Sequence, residues 1–322
     1  MKIAYFNNCW FTNVGEGFID LGAYEIIKQV FGENANIVTV TDMTEWYIDK
    51  NKNWRSLPSK FEKKIFPSKF IDKYVNKSVD FFDLYDADYF ILAGMFACES
   101  FLHTKASESL LKMAQNGTKI IFLGMGGAKY TSEEINEFSN YLRKLNPYLV
   151  VTRDHTTYEN YKDVVKCISG IDCAFWIKDA FCPTGFAKKP FDIVTFNRTK
   201  EPEKYKEFKS RLVIRPQHFQ YDFNVNDVCE NCMISDSPYD YLGLYANAQN
   251  VYTDLVHATV ISLEYGTPVQ FFPVDGRAKL FEHLNGLYKD PDGFLHIDEK
   301  ALDNQKKNII ANIKKDVGII NG

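Results

Sequence analysis

Short apolar runs alternate with amphipathic helical patterns along most of the chain. This alternation narrows the fold to α/β layers built on a mostly parallel sheet. KIAYFN (2–7), NIVTVT (36–41), DADYFILAG (86–94), TKIIFLG (118–124) and YLVVTRD (148–154) read as strands. Between the first two, Phe18, Ile19, Ala23, Ile26, Ile27 and Val30 recur at helical spacing from Glu16 to Phe31, and Gly32 supplies the stop. SESLLKMAQNG (107–117), SEEINEFSNYLRKLN (132–146) and TTYENYKDV (156–164) read as further helices, before the short run CISGIDCAF (167–175). A second series starts near residue 190, with strands in FDIVTF, LVIRP, NVYTD and PVQFFP and helices in EPEKYKEFKSR, PYDYLGLYANA and HATVISLEYG.

Two such series in tandem predict two Rossmann-like α/β domains facing a central cleft. The boundary falls in FCPTGFAKKP (181–190), whose two prolines and glycine suit a linker. The expected domains are residues 1–182 and 190–322, with a basic insertion at about 45–80 and a C-terminal helix placed to pack back on the first domain. Ligands of such folds sit beyond the carboxyl ends of the strands. The residues following each strand are therefore the candidates for chemistry.

Composition removes several other classes. A net charge of −4 gives no global signal for nucleic acid. The apolar runs are too short to span a bilayer, and MKIAYFNN enters a strand with no signal-peptide pattern, so a cytoplasmic location is expected. Seven cysteines, an odd number, fit a reducing compartment better than a disulfide framework. Cys229 and Cys232 form one isolated CxxC, too few ligands for zinc, so neither a metal nor another cofactor is expected. Between Lys50 and Lys77, nine Lys/Arg are interleaved with Trp54, Phe61, Phe66, Phe70 and Tyr74. That segment suits either peripheral contact with an anionic membrane surface or a solvated insertion.

Four places carry candidate chemistry. Asn13, Gly15 and Glu16 join the first strand to its helix, where a carboxylate can bond a sugar hydroxyl or cap the helix. Their spacing is not that of a dinucleotide fingerprint. GMGGAK (124–129) follows a strand, so Gly126 and Gly127 could form an anion-holding nest with Lys129 beside it. Arg153 ends a strand and is shaped for a carboxylate or phosphate, or else for an ion pair with an aspartate. His257 opens a helix just after NVYTD, where the dipole favours the neutral imidazole and proton transfer near neutrality. A helix-start histidine bonded to a backbone carbonyl is the competing structural reading.

The order of these segments resembles the polysaccharide pyruvyl transferase family. NVGEGFIDLGA, ADYFILAGM, KIIFLGMGG, VVTRDHTT, IDCAF and VYTDLVHATVISLEYGTPVQFFPVDGRAK carry the likeness, which covers most of the chain outside roughly 45–80. The resemblance implies a fold like that of GT-B glycosyltransferases. It also implies transfer of a pyruvate ketal from phosphoenolpyruvate, or another phosphorylated donor, to a sugar of a cell-surface glycan or its precursor. His257 would then be the acid/base, and Arg153, Lys279 and Arg277 would hold the anionic donor. Leu255 stands where the family has an arginine, and Ala93-Gly94-Met95 replaces a glycine triplet. Arg215, Arg277 or His218 is then expected to supply the missing charge. A nucleotide-sugar glycosyltransferase and a non-catalytic glycan-binding relative are the alternatives.

Overall fold

The computed structural model describes residues 1–8, 10, 12–41, 84–206, 212–219 and 228–319. The basic 50–77 segment lies outside the described residues. In chain order the first half holds β1 (Lys2–Phe6), α1 (Val14–Phe31), β2 (Asn36–Val40), β3 (Tyr89–Ala93), β4 (Phe96–Ala97), α2 (Glu99–Leu102), α3 (Lys105–Gln115) and β5 (Lys119–Gly127). It continues with α4 (Ser132–Leu145), β6 (Leu149–Thr152), α5 (His155–Tyr161), β7 (Cys167–Ser169), a 3-10 turn (Cys173–Trp176) and α6 (Ile177–Ala180). The second half holds β8 (Phe191–Thr195), α7 (Glu203–Lys206), β9 (Leu212–Pro216), β10 (Cys232–Met233), α8 (Pro238–Tyr245), β11 (Val251–Thr253) and α9 (Val256–Glu264). It ends with β12 (Val269–Phe271), a 3-10 turn (Gly276–Phe281), β13 (Leu287–Lys289), β14 (Leu295–Ile297) and α10 (Glu299–Asp316).

Two separate sheets result. The first runs β2-β1-β3-β5-β6-β7, with β4 added to the far end of β5, and its pairings are parallel. The second runs β10-β9-β8-β11-β12-β14-β13; it is parallel as far as β12 and ends in the antiparallel β13–β14 hairpin. The central strand β3, YFILA, is buried at all five positions, as a parallel strand covered on both faces must be. In the first sheet the strand order reverses between β1 and β3, and in the second between β8 and β11. Both reversals open crevices at the carboxyl ends of the strands, where ligands bind in open α/β sheets.

Helix α1 joins the halves. Asn13 caps it by accepting from the Gly15 N–H, and Gly32, at φ 92°, closes it. Its apolar residues enter one continuous core that includes Ile193, Tyr241, Tyr245, Ala258 and Ile261 of the second half. Gly22 lets α1 lie against the 3-10 turn, since an added Cβ there would come 1.9 Å from the Cys173 carbonyl oxygen. Helix α10 returns to the first sheet, where Lys166 meets Asp316 at 3.0 Å.

One expected loop is a strand. GMGG does not follow β5 but completes it, because Gly124 adopts φ 66° and the register against β6 shifts between Phe122 and Met125. A positive φ that glycine tolerates allows the irregularity without ending the strand. Beyond it, Gly126 and Gly127 pair with Phe96 and Ala97 of β4.

Candidate active site

At the second reversal, the residues following β8 and β11 meet in a tight crevice lined by Asn13, Arg198, His218, Phe219, Leu255, Val256, His257 and Arg277. The crevice is built from backbone outward. Asp254, 2% exposed, receives the N–H groups of Asn197, Arg198 and Thr199 and the Thr199 hydroxyl at 2.7–3.2 Å. This grip fixes the turn that carries Arg198 beside the start of α9. Helix α9 has no side-chain cap at Leu255, and its opening residues Leu255, Val256 and His257 line the crevice, an end that favours anions. Arg198 and Arg277 share one carboxylate, Asp275, at 3.5 and 2.7 Å. Two guanidiniums and a helix N-terminus face Asp275 and Asp254, the second of which also acts on Arg198, and the arginines leave a positive potential at His257.

His257 is half-buried in the first turn of α9. Its ring lies against Gly15 so closely that a Cβ at residue 15 would be 1.6 Å from Nδ1. Its pKa sits well below the ordinary histidine value, chiefly because burial disfavours the imidazolium and further because Arg153 and Arg277 surround it with positive potential. The direction agrees with the helix-dipole argument, whereas desolvation is the larger cause. No hydrogen-bond partner for its side chain is found among the described residues.

The first reversal opens a pocket of about 500 Å³ whose lining includes Asn8, Glu16, Met95, Phe96, Phe101 and Thr104. The loop after β1 is held by Asp20, a fully buried carboxylate. It accepts from the Tyr5 hydroxyl, the Asn8 backbone and side chain and Trp10 Nε1 at 2.6–2.9 Å. Glu16 stands between pocket and crevice, since Asn13, a crevice residue, donates from Nδ2 to its Oε1 at 3.3 Å. Burial foremost, with Asp20 adding, pushes the Glu16 carboxyl up to about 7 against the pull of Arg153 and Arg277.

The remaining sequence candidates separate. Arg153, 4% exposed, pairs with Asp172 at 3.7 Å and lies 4.4 Å from the Phe96 ring centroid, beneath the pocket. Gly126 makes room for that guanidinium, as a Cβ there would come 2.3 Å from Nε. The Gly126 N–H is spent on the Met95 carbonyl and that of Gly127 on the Thr157 hydroxyl. They therefore do not form the expected nest. Gly15 likewise gives its N–H to Asn13 and serves by lacking a side chain. Lys279 stands 4.5 Å from the Tyr130 ring centroid and is not part of the crevice lining. Among the expected substitutes for the missing arginine, Arg215 is bidentate to Glu201 at 2.9 Å. His218 is held neutral by burial, its pKa lowered to about 3. Arg277 does line the crevice, joined by Arg198, which sequence reasoning missed. Arg198 sits two residues beyond FDIVTF, where the strand-end rule that picked out Arg153 applies equally. Asp20 and Asp254 left no comparable signal, because each acts by accepting hydrogen bonds from segments brought to it by folding. Among the described residues no cluster of histidines, cysteines and carboxylates has metal-binding geometry, and no helix is long and apolar enough to cross a membrane.

The family profile described as polysaccharide pyruvyl transferase matches residues 13–276. The chain belongs to the polysaccharide pyruvyl transferase family. Membership makes it a transferase and ties it to polysaccharide modification. No curated protein matches it in sequence. Among solved structures it is similar to a UDP-N-acetylglucosamine 2-epimerase, with TM-score 0.53, 11% identity and coverage of 99% of this chain and 89% of that one. It is also similar to a putative UDP-N-acetylglucosamine 2-epimerase from Listeria monocytogenes, with TM-score 0.52, 10% identity and coverage of 99% and 90%. A third is the S. aureus protein MnaA bound to UDP, with TM-score 0.52, 12% identity and coverage of 99% and 90%. These likenesses establish the GT-B-like fold of two α/β sheets around a cleft.

Proposed function

We propose that this member of the family transfers a pyruvate-derived group from phosphoenolpyruvate to two hydroxyls of one sugar, on a cell-surface glycan or its precursor, giving a ketal. The observation that carries the reading is the apposition of a cation-rich crevice, a neutral imidazole and a roomy carboxylate-bearing pocket. The phosphate and carboxylate of the donor suit Arg198, Arg277 and the open end of α9. The sugar suits the larger pocket, where Phe96 and Phe101 offer apolar faces beside the polar Asn8 and Thr104. Arg153, beneath Phe96, contributes positive potential near both. His257, neutral across the physiological range, is fitted to take a proton from an attacking hydroxyl.

The test is release of phosphate from phosphoenolpyruvate in the presence of candidate acceptor sugars, with a thermal-shift panel of phosphoenolpyruvate, UDP and UDP-sugars beside it. Phosphoenolpyruvate should raise the melting temperature, and His257→Ala should lose turnover. A saturable response to UDP or a UDP-sugar with none to phosphoenolpyruvate would overturn the donor assignment.

A further inference from the structure

We propose that Glu16 is the acid of the reaction, the carboxyl that protonates the methylene carbon of the donor, while His257 acts as its base. The proposal deepens the pyruvyl-transfer reading and rests on it. Ketal formation needs a proton delivered to carbon and, separately, protons removed from two hydroxyls. A histidine held in its neutral form has the base role available but lacks a proton to give at the outset. Of the carboxyls near the crevice, Asp254 is consumed by the Asn197–Thr199 turn and Asp275 by Arg277 and Arg198. Asp172 pairs with Arg153 and caps the 3-10 turn through the Ala174 N–H. Asp20 already holds Tyr5, Asn8 and Trp10. Glu16 has only the 3.3 Å contact from Asn13 Nδ2 among the described residues. It also lines the larger pocket and is the residue after Gly15, against which His257 packs.

Its surroundings hold the proton where it is needed. Asp20 on the same helix and Asp172 before the 3-10 turn favour the protonated carboxyl. Arg153 after β6 and Arg277 of the second 3-10 turn oppose it, and His257 brings no charge while neutral. Burial outweighs them and brings the carboxyl to about 7, close to the operating pH that suits a proton donor.

The step balances. The Glu16 proton forms the methyl group as the first hydroxyl oxygen bonds to C2 and gives its proton to His257. The C2–O bond to phosphate then breaks, with its electron pair leaving on oxygen and the His257 proton following it. The second hydroxyl closes the ketal and returns its proton to Glu16, restoring both side chains.

The experiment compares wild type, Glu16→Gln and Glu16→Asp with phosphoenolpyruvate and an accepted sugar in D2O. Wild type should place one deuterium in the ketal methyl, with kcat falling as pH rises through about 7, because the acid must be protonated. Glu16→Gln should lower kcat by roughly 10²–10⁴-fold while keeping the melting-temperature response to phosphoenolpyruvate. Glu16→Asp should keep measurable turnover with its alkaline limb displaced. Turnover of Glu16→Gln within about threefold of wild type, or loss of its response to the donor, overturns the acid role. Failure of wild type itself to release phosphate instead overturns the pyruvyl-transfer reading.

Discussion

Replacing Gly15 with alanine should disable the protein while barely unfolding it. The added Cβ would stand 1.6 Å from Nδ1 of His257, so the ring must retreat by roughly 2 Å to regain ordinary van der Waals separation. A displacement of about 1 Å at a reacting group already costs on the order of 10²-fold in rate. Turnover should therefore fall by at least about 10²-fold. Stability responds differently. Overpacking costs about 1–3 kcal/mol, and the helix preference of alanine over glycine returns about 1 kcal/mol. The net loss is then about 0–2 kcal/mol, a melting point lower by a few degrees at most. Gly243→Ala in α8, where an added Cβ meets nothing within 4 Å, serves as the control: turnover should stay near wild type, and stability should be unchanged or higher by up to about 1 kcal/mol. Phosphate release and thermal melts on the three proteins decide the matter. Wild-type turnover in Gly15→Ala would refute the argument that the seating of His257 against α1 sets the reaction geometry.

Other outcomes follow from the same contacts. Asp254→Ala removes the acceptor of four hydrogen bonds, so denaturant melts should show a loss of about 2–4 kcal/mol and donor titrations a raised KM as Arg198 loosens. His218, lowered to about 3 by burial, stays neutral when the unfolded chain takes up a proton below its ordinary value. Its share of stability is therefore present above about pH 6.5 and lost as pH falls towards 3. Between pH 6 and 4 the unfolding free energy of wild type should rise with pH more steeply than that of His218→Gln, by about 1.4 kcal/mol per unit. Lys306 lies 3.1 Å from buried Glu264 and 3.0 Å from Asp179. Burial pushes the Glu264 carboxyl up to about 8 even with that lysine beside it. At neutral pH that carboxyl is largely protonated, so Lys306→Met should cost less than an unpaired buried charge does, about 3–5 kcal/mol. The loss should grow as pH rises through about 8, and adding Glu264→Gln should remove that pH dependence, as read from a double-mutant cycle of chemical melts.

Much of the architecture was legible because strands and helices are specified locally. Period-two and period-3.6 patterns survive in short windows, so KIAYFN and HATVISLEYG declare their elements without knowledge of their neighbours. The strand-end rule then pointed at Glu16, Arg153 and His257. It failed at GMGGAK for a local reason as well: glycines that suit a loop also suit an irregular strand, and only the partner strand β4 distinguishes the two. Arg215 and His218 looked like spare cations because a sequence does not show that Glu201 neutralises one or that burial discharges the other.

The sequence by itself determined two α/β series, the boundaries of most elements and a histidine at the opening of α9. Tertiary structure decided what that histidine meets. Arg198 and Arg277 come from different strand ends and converge only when the second sheet forms. Gly15 reaches the imidazole only because α1 packs across both halves. Protonation follows the same division, because intrinsic pKa values belong to residue types, whereas desolvation and neighbouring charge depend on which surfaces the fold brings together.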